Sequence, residues 1–286
     1  MSLKHMIAIA TGGDGDSRAL GLSSSLASQH DGVVEVLPIY PDSAADMVAL
    51  GTSLGATLSE EAIEELVAAE RELQGRIEET ARAAASEADV VFGSGEGAPR
   101  MSVLGRSLRP TLAVSRHAPL ADLIIFSQGH LDHGLGRDMF GHCLLGARAP
   151  VLVARHDADS LSGAAAIAWD GSPQAGRAVK AALPLLAMAS EIYIMQCVTG
   201  LDRDATAPEI DPLNAYLKLH GVGEGEAVMV EGEDEGAALI GAARAKTATL
   251  LVAGAWGHSR LREAVFGGAT RAFLGCKSGP NLLLAH

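Results

Sequence analysis

Along the whole chain, continuous apolar runs alternate with stretches in which apolar positions recur at helical spacing. This is the order expected of a mostly parallel sheet whose strands are joined by helices. In the first half it predicts strands near 5–11, 32–39, 89–92, 122–127 and 150–155. The run from Gly32 to Pro38 reads as a short strand stopped by its proline. After it, Thr57, Leu58, Ser59 and Glu60 offer a capping box, in which a hydroxyl and a carboxylate satisfy the unpaired amides of a helix start. Ile63, Leu66, Val67, Leu73 and Ile77 then recur at helical spacing among acidic residues, which predicts one long helix over 58–87 with its charged face toward water. The second half repeats the scheme, with strands expected near 164–170, 191–198, 226–230, 249–254 and 280–285 and helices near 173–187, 208–220, 234–245 and 267–275. Pro184 stands where it would bend or end the first of these helices, because it lacks the amide that the helical ladder needs.

The repetition extends to short signatures. Ala149 to His156 closes the first half and Gly279 to His286 closes the second, each a proline-led apolar strand. At the other edge of the unit, Ile9-Ala10-Thr11-Gly12-Gly13 parallels Ile167-Ala168-Trp169-Asp170-Gly171. Duplication followed by divergence is the simplest account. The small, polar segment from His156 to Gly163 reads as a linker, which sets the expected domains at 1–157 and 163–286.

Composition fits two globular units: 286 residues are enough for two cores, 48% of them are hydrophobic, and the 3% aromatic content makes those cores aliphatic. A formal net charge of −13, with no dense Lys/Arg stretch to reverse it locally, argues against nucleic acid as a partner. It does not argue against a small anion, which a few oriented backbone amides can hold. Cys143, Cys197 and Cys276 are widely spaced and odd in number, suggesting neither a disulfide framework nor a zinc knuckle and fitting a reducing cytoplasm. The stretch from Met1 into the strand-like Met6–Ala10 lacks the features of a signal peptide, and no apolar run reaches membrane-spanning length. A cytoplasmic location without membrane association is therefore expected.

The segment with chemical content is the apolar run Leu250–Ala253 breaking into Gly254, then Ala255, Trp256 and Gly257, followed by nine residues and Gly267-Gly268-Ala269-Thr270. Gly254 and Gly257 remove side chains where the backbone must turn and expose amides. Gly267 and Gly268 stand at the amino end of the last helix, where unpaired amides and the helix dipole favour an anion. Two sets of donors could thus converge on one phosphate chain.

This G-x2-G-x9-G-G pattern resembles the nucleotide-binding motif of the universal stress protein family, G-x2-G-x9-G-S/T, and the strand-helix order resembles that family over nearly the whole chain. The resemblance implies an α/β fold of two Rossmann-like domains of the adenine nucleotide alpha hydrolase type, each a parallel five-stranded sheet flanked by helices. It further implies that the strands at 150–155 and 280–285 pair antiparallel, making an intramolecular pseudo-dimer; a homodimer of such chains is a possible further assembly. In function it implies an adenine nucleotide, ATP or else ADP or AMP, with Mg2+ or Mn2+ bridging phosphates, bound in the second half. By the same resemblance Ala253, Gly254, Gly257, Gly267, Gly268, Ala269 and Thr270 form the phosphate loop, Asp170 contacts the nucleoside, and Cys197 takes the place of the apolar residue, often valine, that lines the adenine pocket. Gly268 departs from the family, which usually has Ser or Thr there; Thr270 is the hydroxyl that could stand in for it. In such a sheet these strand ends meet at the carboxyl edge, where ligands usually bind.

The first half keeps the order without the motif. After Ser127-Gln128 it runs Gly129-His130-Leu131-Asp132-His133-Gly134, and Gly12 stands where the nucleoside-contacting Asp would be, so no ordinary ATP site is expected there. His130, Asp132 and His133, with His142 and Cys143 farther on, admit a metal reading, although hydration of a loop accounts for them as well. Gly12 to Ser17 lacks the ligand series of a calcium loop and reads as a turn before a helix. Arg260 could face phosphate or solvent, and Trp169 and Trp256 adjoin the loop as shields or as packing residues. No general base is evident, so regulatory binding is expected over efficient turnover, and binding alone lowers no chemical barrier. A nucleotide-free protein-interaction scaffold, with partners the sequence does not name, and a slow nucleotide hydrolase or metal-dependent enzyme remain as alternatives.

Overall fold

Turns rich in glycine, proline and small polar residues divide the chain into elements of ordinary length. The computed structural model describes residues 3–39, 59–105, 110–132, 134–197, 209–255 and 268–286. The first half contains β1 (His5–Ala10), α1 (Asp16–His30), β2 (Val33–Pro38), α2 (Glu60–Glu87), β3 (Val91–Phe92), β4 (Arg100–Val103), α3 (Pro110–His117), β5 (Leu123–Ser127), α4 (Gly134–Gly141) and β6 (Val151–Ala154). The second contains β7 (Ala165–Ala168), α5 (Pro173–Leu186), β8 (Ile192–Cys197), α6 (Asp211–Leu219), β9 (Glu226–Val230), α7 (Glu235–Ala245), β10 (Leu250–Gly254), α8 (Gly268–Gly275) and β11 (Asn281–Ala285). Pro184 lies in the last turn of α5, which stops at Leu186. Among the described residues, no helix is long and apolar enough to cross a membrane.

All of these strands form one sheet in the order β3-β4-β2-β1-β5-β6-β11-β10-β7-β8-β9. Within each half every pairing is parallel. The halves meet where β6 and β11 pair antiparallel, Val153 opposite Leu282, Leu152 opposite Leu283 and Val151 opposite Leu284. The expected pseudo-dimer is therefore present. All six of these side chains are fully buried, and at about 2 kcal/mol for each aliphatic group removed from water the seam is a structural core, not a loose contact. Because the seam is antiparallel, the carboxyl ends of the strands in the two halves point to opposite edges of the sheet.

One expectation is corrected. The strand placed at 89–92 is only the two-residue β3 at the outer edge, and the strand that pairs with β2 is β4. Of β4's residues only Met101 is buried, so its sequence carries almost no apolar signal.

Helices cover both faces. On one, α1, α2, α5 and α6 bury Leu20, Leu26, Ile77, Ala81, Val179, Leu183, Leu213 and Leu217 against Met6, Val34, Ile167 and Val252. On the other, α3, α4, α7 and α8 bury Val114, Phe140, Leu239 and Phe273 against Ile7, Phe126, Ala253 and Leu284. Successive strand residues face opposite sides, which is why these apolar runs are continuous instead of alternating. The linker forms a 3-10 turn at Ala158–Ser162. It is fastened to the seam by Asn281, whose Oδ1 accepts the amides of Arg155 (2.7 Å) and His156 (2.9 Å) and whose Nδ2 donates to Ser160 Oγ (3.0 Å).

Candidate functional site

At the end of β7 the chain turns through Gly171, whose φ of +72° is readily available only to glycine. Asp170 is half-buried and folds back on this turn, its Oδ1 accepting the Ser172 amide at 2.9 Å. Ser172 then caps α5, its Oγ accepting the Ala175 amide at 3.1 Å. One oxygen of Asp170 thus has a fixed partner that orients the carboxylate at the carboxyl edge.

Gly254, at the end of β10, lies against the first turn of α5. A Cβ there would sit 2.5 Å from the Ala175 amide nitrogen and 2.8 Å from the Gln174 carbonyl carbon. This glycine is required by strand-helix packing whether or not a ligand binds. The next residue continues the sheet: the Ala255 amide donates to the Ala285 carbonyl at 2.8 Å, and the Ala255 carbonyl lies 3.0 Å from His286 Nδ1. The Ala255 amide is therefore not free for a phosphate. Gly257 and Gly267, like Trp256 and His258 to Arg262, lie outside the described residues.

Helix α8 opens at Gly268, which is exposed and has open space where a Cβ would stand. Ala269 is half-buried and Thr270 is buried. A Cβ on Gly236, in the first turn of α7, would come within 2.8 Å of the Ala269 Cα and 2.6 Å of the Ala272 Cβ, so the two helices cross closely at their amino ends. Asp234 caps α7, its Oδ1 accepting the Ala237 amide at 3.0 Å. Beside it, the half-buried Glu235 carboxyl is pushed above its ordinary 4.5, first by burial and then by the negative charges of Asp170 and Asp234.

The starts of α7 and α8 and the end of β7 are thus brought together: Glu235 senses Asp170, and the neighbouring Gly236 meets Ala269. Cys197 and Ala253 are buried in the apolar cluster beneath this rim, and Ala269 packs on it. Sequence reading missed the acidic pair Asp234 and Glu235. The Gly-Glu-Asp-Glu-Gly run at 232–236, following a strand and opening a helix, is the signal that could have found it. Trp169 packs on the opposite cluster, its Nε1 buried and without a hydrogen-bond partner among the described residues.

In the first half the corresponding edge is filled from within. Asp16, buried at the start of α1, accepts the amides of Thr11 (2.9 Å) and Gly12 (2.7 Å), the Thr11 hydroxyl (3.2 Å), and Nε2 of the equally buried His130 (2.8 Å). The other ring nitrogen, Nδ1, takes the Ser127 amide at 3.2 Å, so the imidazole proton lies on Nε2 and points at Asp16. The residues of the metal reading are dispersed. Asp132 pairs with Lys277 (2.9 Å), His142 Nε2 lies 3.0 Å from Ser115 Oγ, and the Cys143 thiol is pushed up to about 12 by burial. His133 lies outside the described residues, and among those described no group of three His, Cys, Asp or Glu could hold a metal ion. A groove of about 510 Å³ between α1, the end of α2 and the linker has mixed charge, Arg18 against Glu87, Asp157 and Asp159, and shares no residue with the candidate set.

No protein-family model matches the sequence, and no curated protein does. Solved structures do match. Over 99% of this chain and 96% of its own length, a universal stress protein from Archaeoglobus fulgidus DSM 4304 superposes with a TM-score of 0.68 at 16% identity. A functionally unknown protein from Pseudomonas aeruginosa PAO1 gives 0.55 at 13% identity over 99% and 92%. The cytoplasmic domain of a prokaryotic cation chloride cotransporter gives 0.54 at 10% identity over 100% and 96%.

Proposed function

The chain carries the universal stress protein fold in tandem, and on that premise we propose that its second half binds ATP or a related adenine nucleotide for a regulatory purpose. In this reading residues 1–157 form a degenerate domain and 163–286 the binding domain of a cytoplasmic protein. The carrying observation is the convergence of the β7 end, α7 and α8 on one rim, through Asp170, Glu235, Gly236 and Ala269. Asp170 offers acceptor capacity to a ribose hydroxyl, and α8 opens at the exposed Gly268, where the unpaired amides of a helix start favour an anion. Three carboxylates on the rim repel bare phosphates, so a Mg2+ or Mn2+ complex of the nucleotide fits the local charge better than the free anion. The catalytic part stays with binding: any hydrolysis is slow or depends on a partner.

Calorimetric titration of the whole chain with ATP, ADP and AMP, with and without Mg2+, tests the reading. Gly257→Val and Asp170→Ala are expected to weaken ATP binding by about tenfold or more each, that is about 1.4 kcal/mol or more. Gly254→Val is not a useful probe, because its side chain would strike α5 first. Absence of binding by the unaltered chain would favour the second reading, a nucleotide-free interaction scaffold. That reading is favoured by Gly268 in place of a hydroxyl residue and by the engaged Ala255 amide. The fold also occurs in a protein described as a cytoplasmic domain of a transporter.

A further inference from the structure

As the crossover between the parallel β10 and β11, α8 runs back, about 12 Å for its eight residues, from the carboxyl edge of its own half toward the opposite edge, which the antiparallel seam makes the carboxyl edge of the first half. Its amino end belongs to the rim of the second half. Its carboxyl end reaches the edge where the first half has sealed its own loop, and there the first half holds it. Arg155, just past β6, is 4% exposed, and its guanidinium donates to the Phe273 carbonyl, to the Pro280 carbonyl (2.9 Å) and to Gln128 Oε1 (2.8 Å). Gln128 in turn donates its Nε2 to the Leu274 carbonyl (3.0 Å). Lys277, beyond the helix, pairs with Asp132 (2.9 Å). Gly279 leaves the space this needs, since a Cβ there would sit 3.2 Å from Arg155 Nη1.

A helix ends with carbonyls that lack partners and with a partial negative charge. A buried guanidinium whose partners are two carbonyls and a carboxamide is suited to that end, and its planar fork reaches three acceptors where an ammonium would reach fewer. Burial lowers its pKa from 12.5 to about 10, which leaves it charged at neutral pH. Gln128 immediately follows Ser127, whose amide is held by His130, so the clamp is continuous with the Asp16–His130 lock.

We propose that Arg155 is a positioning residue through which the first half fixes α8, and with it the phosphate-facing end of the second half's site. The second clause rests on the nucleotide reading; the first does not. The test compares the whole chain with Arg155→Met, Arg155→Lys and Gln128→Ala by amide hydrogen exchange and by titration with ATP and adenosine.

Exchange over 268–277 is expected to rise about tenfold or more in Arg155→Met and roughly threefold in Gln128→Ala, while β1 and β7 are unchanged. Arg155→Lys, which keeps the charge and loses the fork, should fall between the unaltered chain and Arg155→Met. ATP affinity should fall about tenfold in Arg155→Met with adenosine within about twofold, a selectivity that general loosening of the fold would not produce. Unchanged exchange over 268–277 in the variants overturns the clamp. Increased exchange with equal losses for ATP and adenosine, or with no loss for ATP, overturns the link to the phosphate end. If the unaltered chain binds neither ligand, the nucleotide reading falls while exchange still decides the clamp. Should Arg155→Met not fold, Gln128→Ala and Arg155→Lys carry the same comparison.

Discussion

Ser127 and Gly254 end equivalent strands, each paired with the closing strand of its half, at Ala154 and Ala285. Around Ser127 the glycine is on the helix side: a Cβ on Gly15 would come within 2.5 Å of Ser127 Oγ and 3.3 Å of His130 Cδ2. Around Gly254 the glycine is on the strand, and the helix start presses against it. With the glycine on the helix side, a serine and a histidine fit over the loop, and Asp16 takes the amides of Thr11 and Gly12. With the glycine on the strand, the loop after β7 is closed by Asp170 and Ser172, and the Gly268 that opens α8 is exposed. The difference teaches that one fold can close the loop after its first strand in two ways, with a buried carboxylate from the following helix in one copy and with the loop's own aspartate in the other.

Gly254→Val should break the comparison most severely. A side chain 2.5 Å from a helix amide nitrogen forces α5 away from the sheet, at an expected cost of about 3 kcal/mol or more, read as a fall in denaturant midpoint. Asp16→Ala comes next. It leaves two amides, a hydroxyl and an imidazole without their acceptor, and about 3 kcal/mol should be lost, with Asp16→Asn recovering part of it.

The smallest effect sharpens the comparison from the other rim. The folded state holds the Glu235 carboxyl above 4.5 and so favours its protonated form. The stabilisation this gives is fully present below pH 4.5 and is lost as the pH rises through the raised value. Glu235→Gln should therefore raise stability at pH 7 by only about a few tenths of a kcal/mol, because solvent screens a half-exposed group, and change little at pH 4. Thermal unfolding at the two pH values reads this directly.

Much of the architecture was legible in the sequence because continuous apolar runs are what a sheet buried on both faces requires. The two proline-led strands that form the seam stood out for that reason. β4 did not, since one buried methionine among Arg100, Ser102 and Val103 gives no run to read. At the candidate site, Asp170 was marked by the family resemblance, and the structure adds the turn that orients its carboxylate. The Asp16–His130 pair was invisible because its members stand 114 residues apart and each alone resembles a loop residue. Gly254 illustrates a different limit: a glycine selected for helix packing and one selected for phosphate approach are the same letter. Only the Ala175 backbone beside it separates the two.

The covalent tether through Ala158–Ser162, which keeps β6 and β11 paired within one chain, has an evolutionary consequence. In an assembly of identical subunits every substitution is made at both copies, so neither can lose a function without the other. Here the partner is always present, at an effective concentration of about millimolar set by the tether rather than by expression level. Each copy is therefore free to change alone, as the buried Asp16–His130 pair in one and the Asp170 turn in the other illustrate.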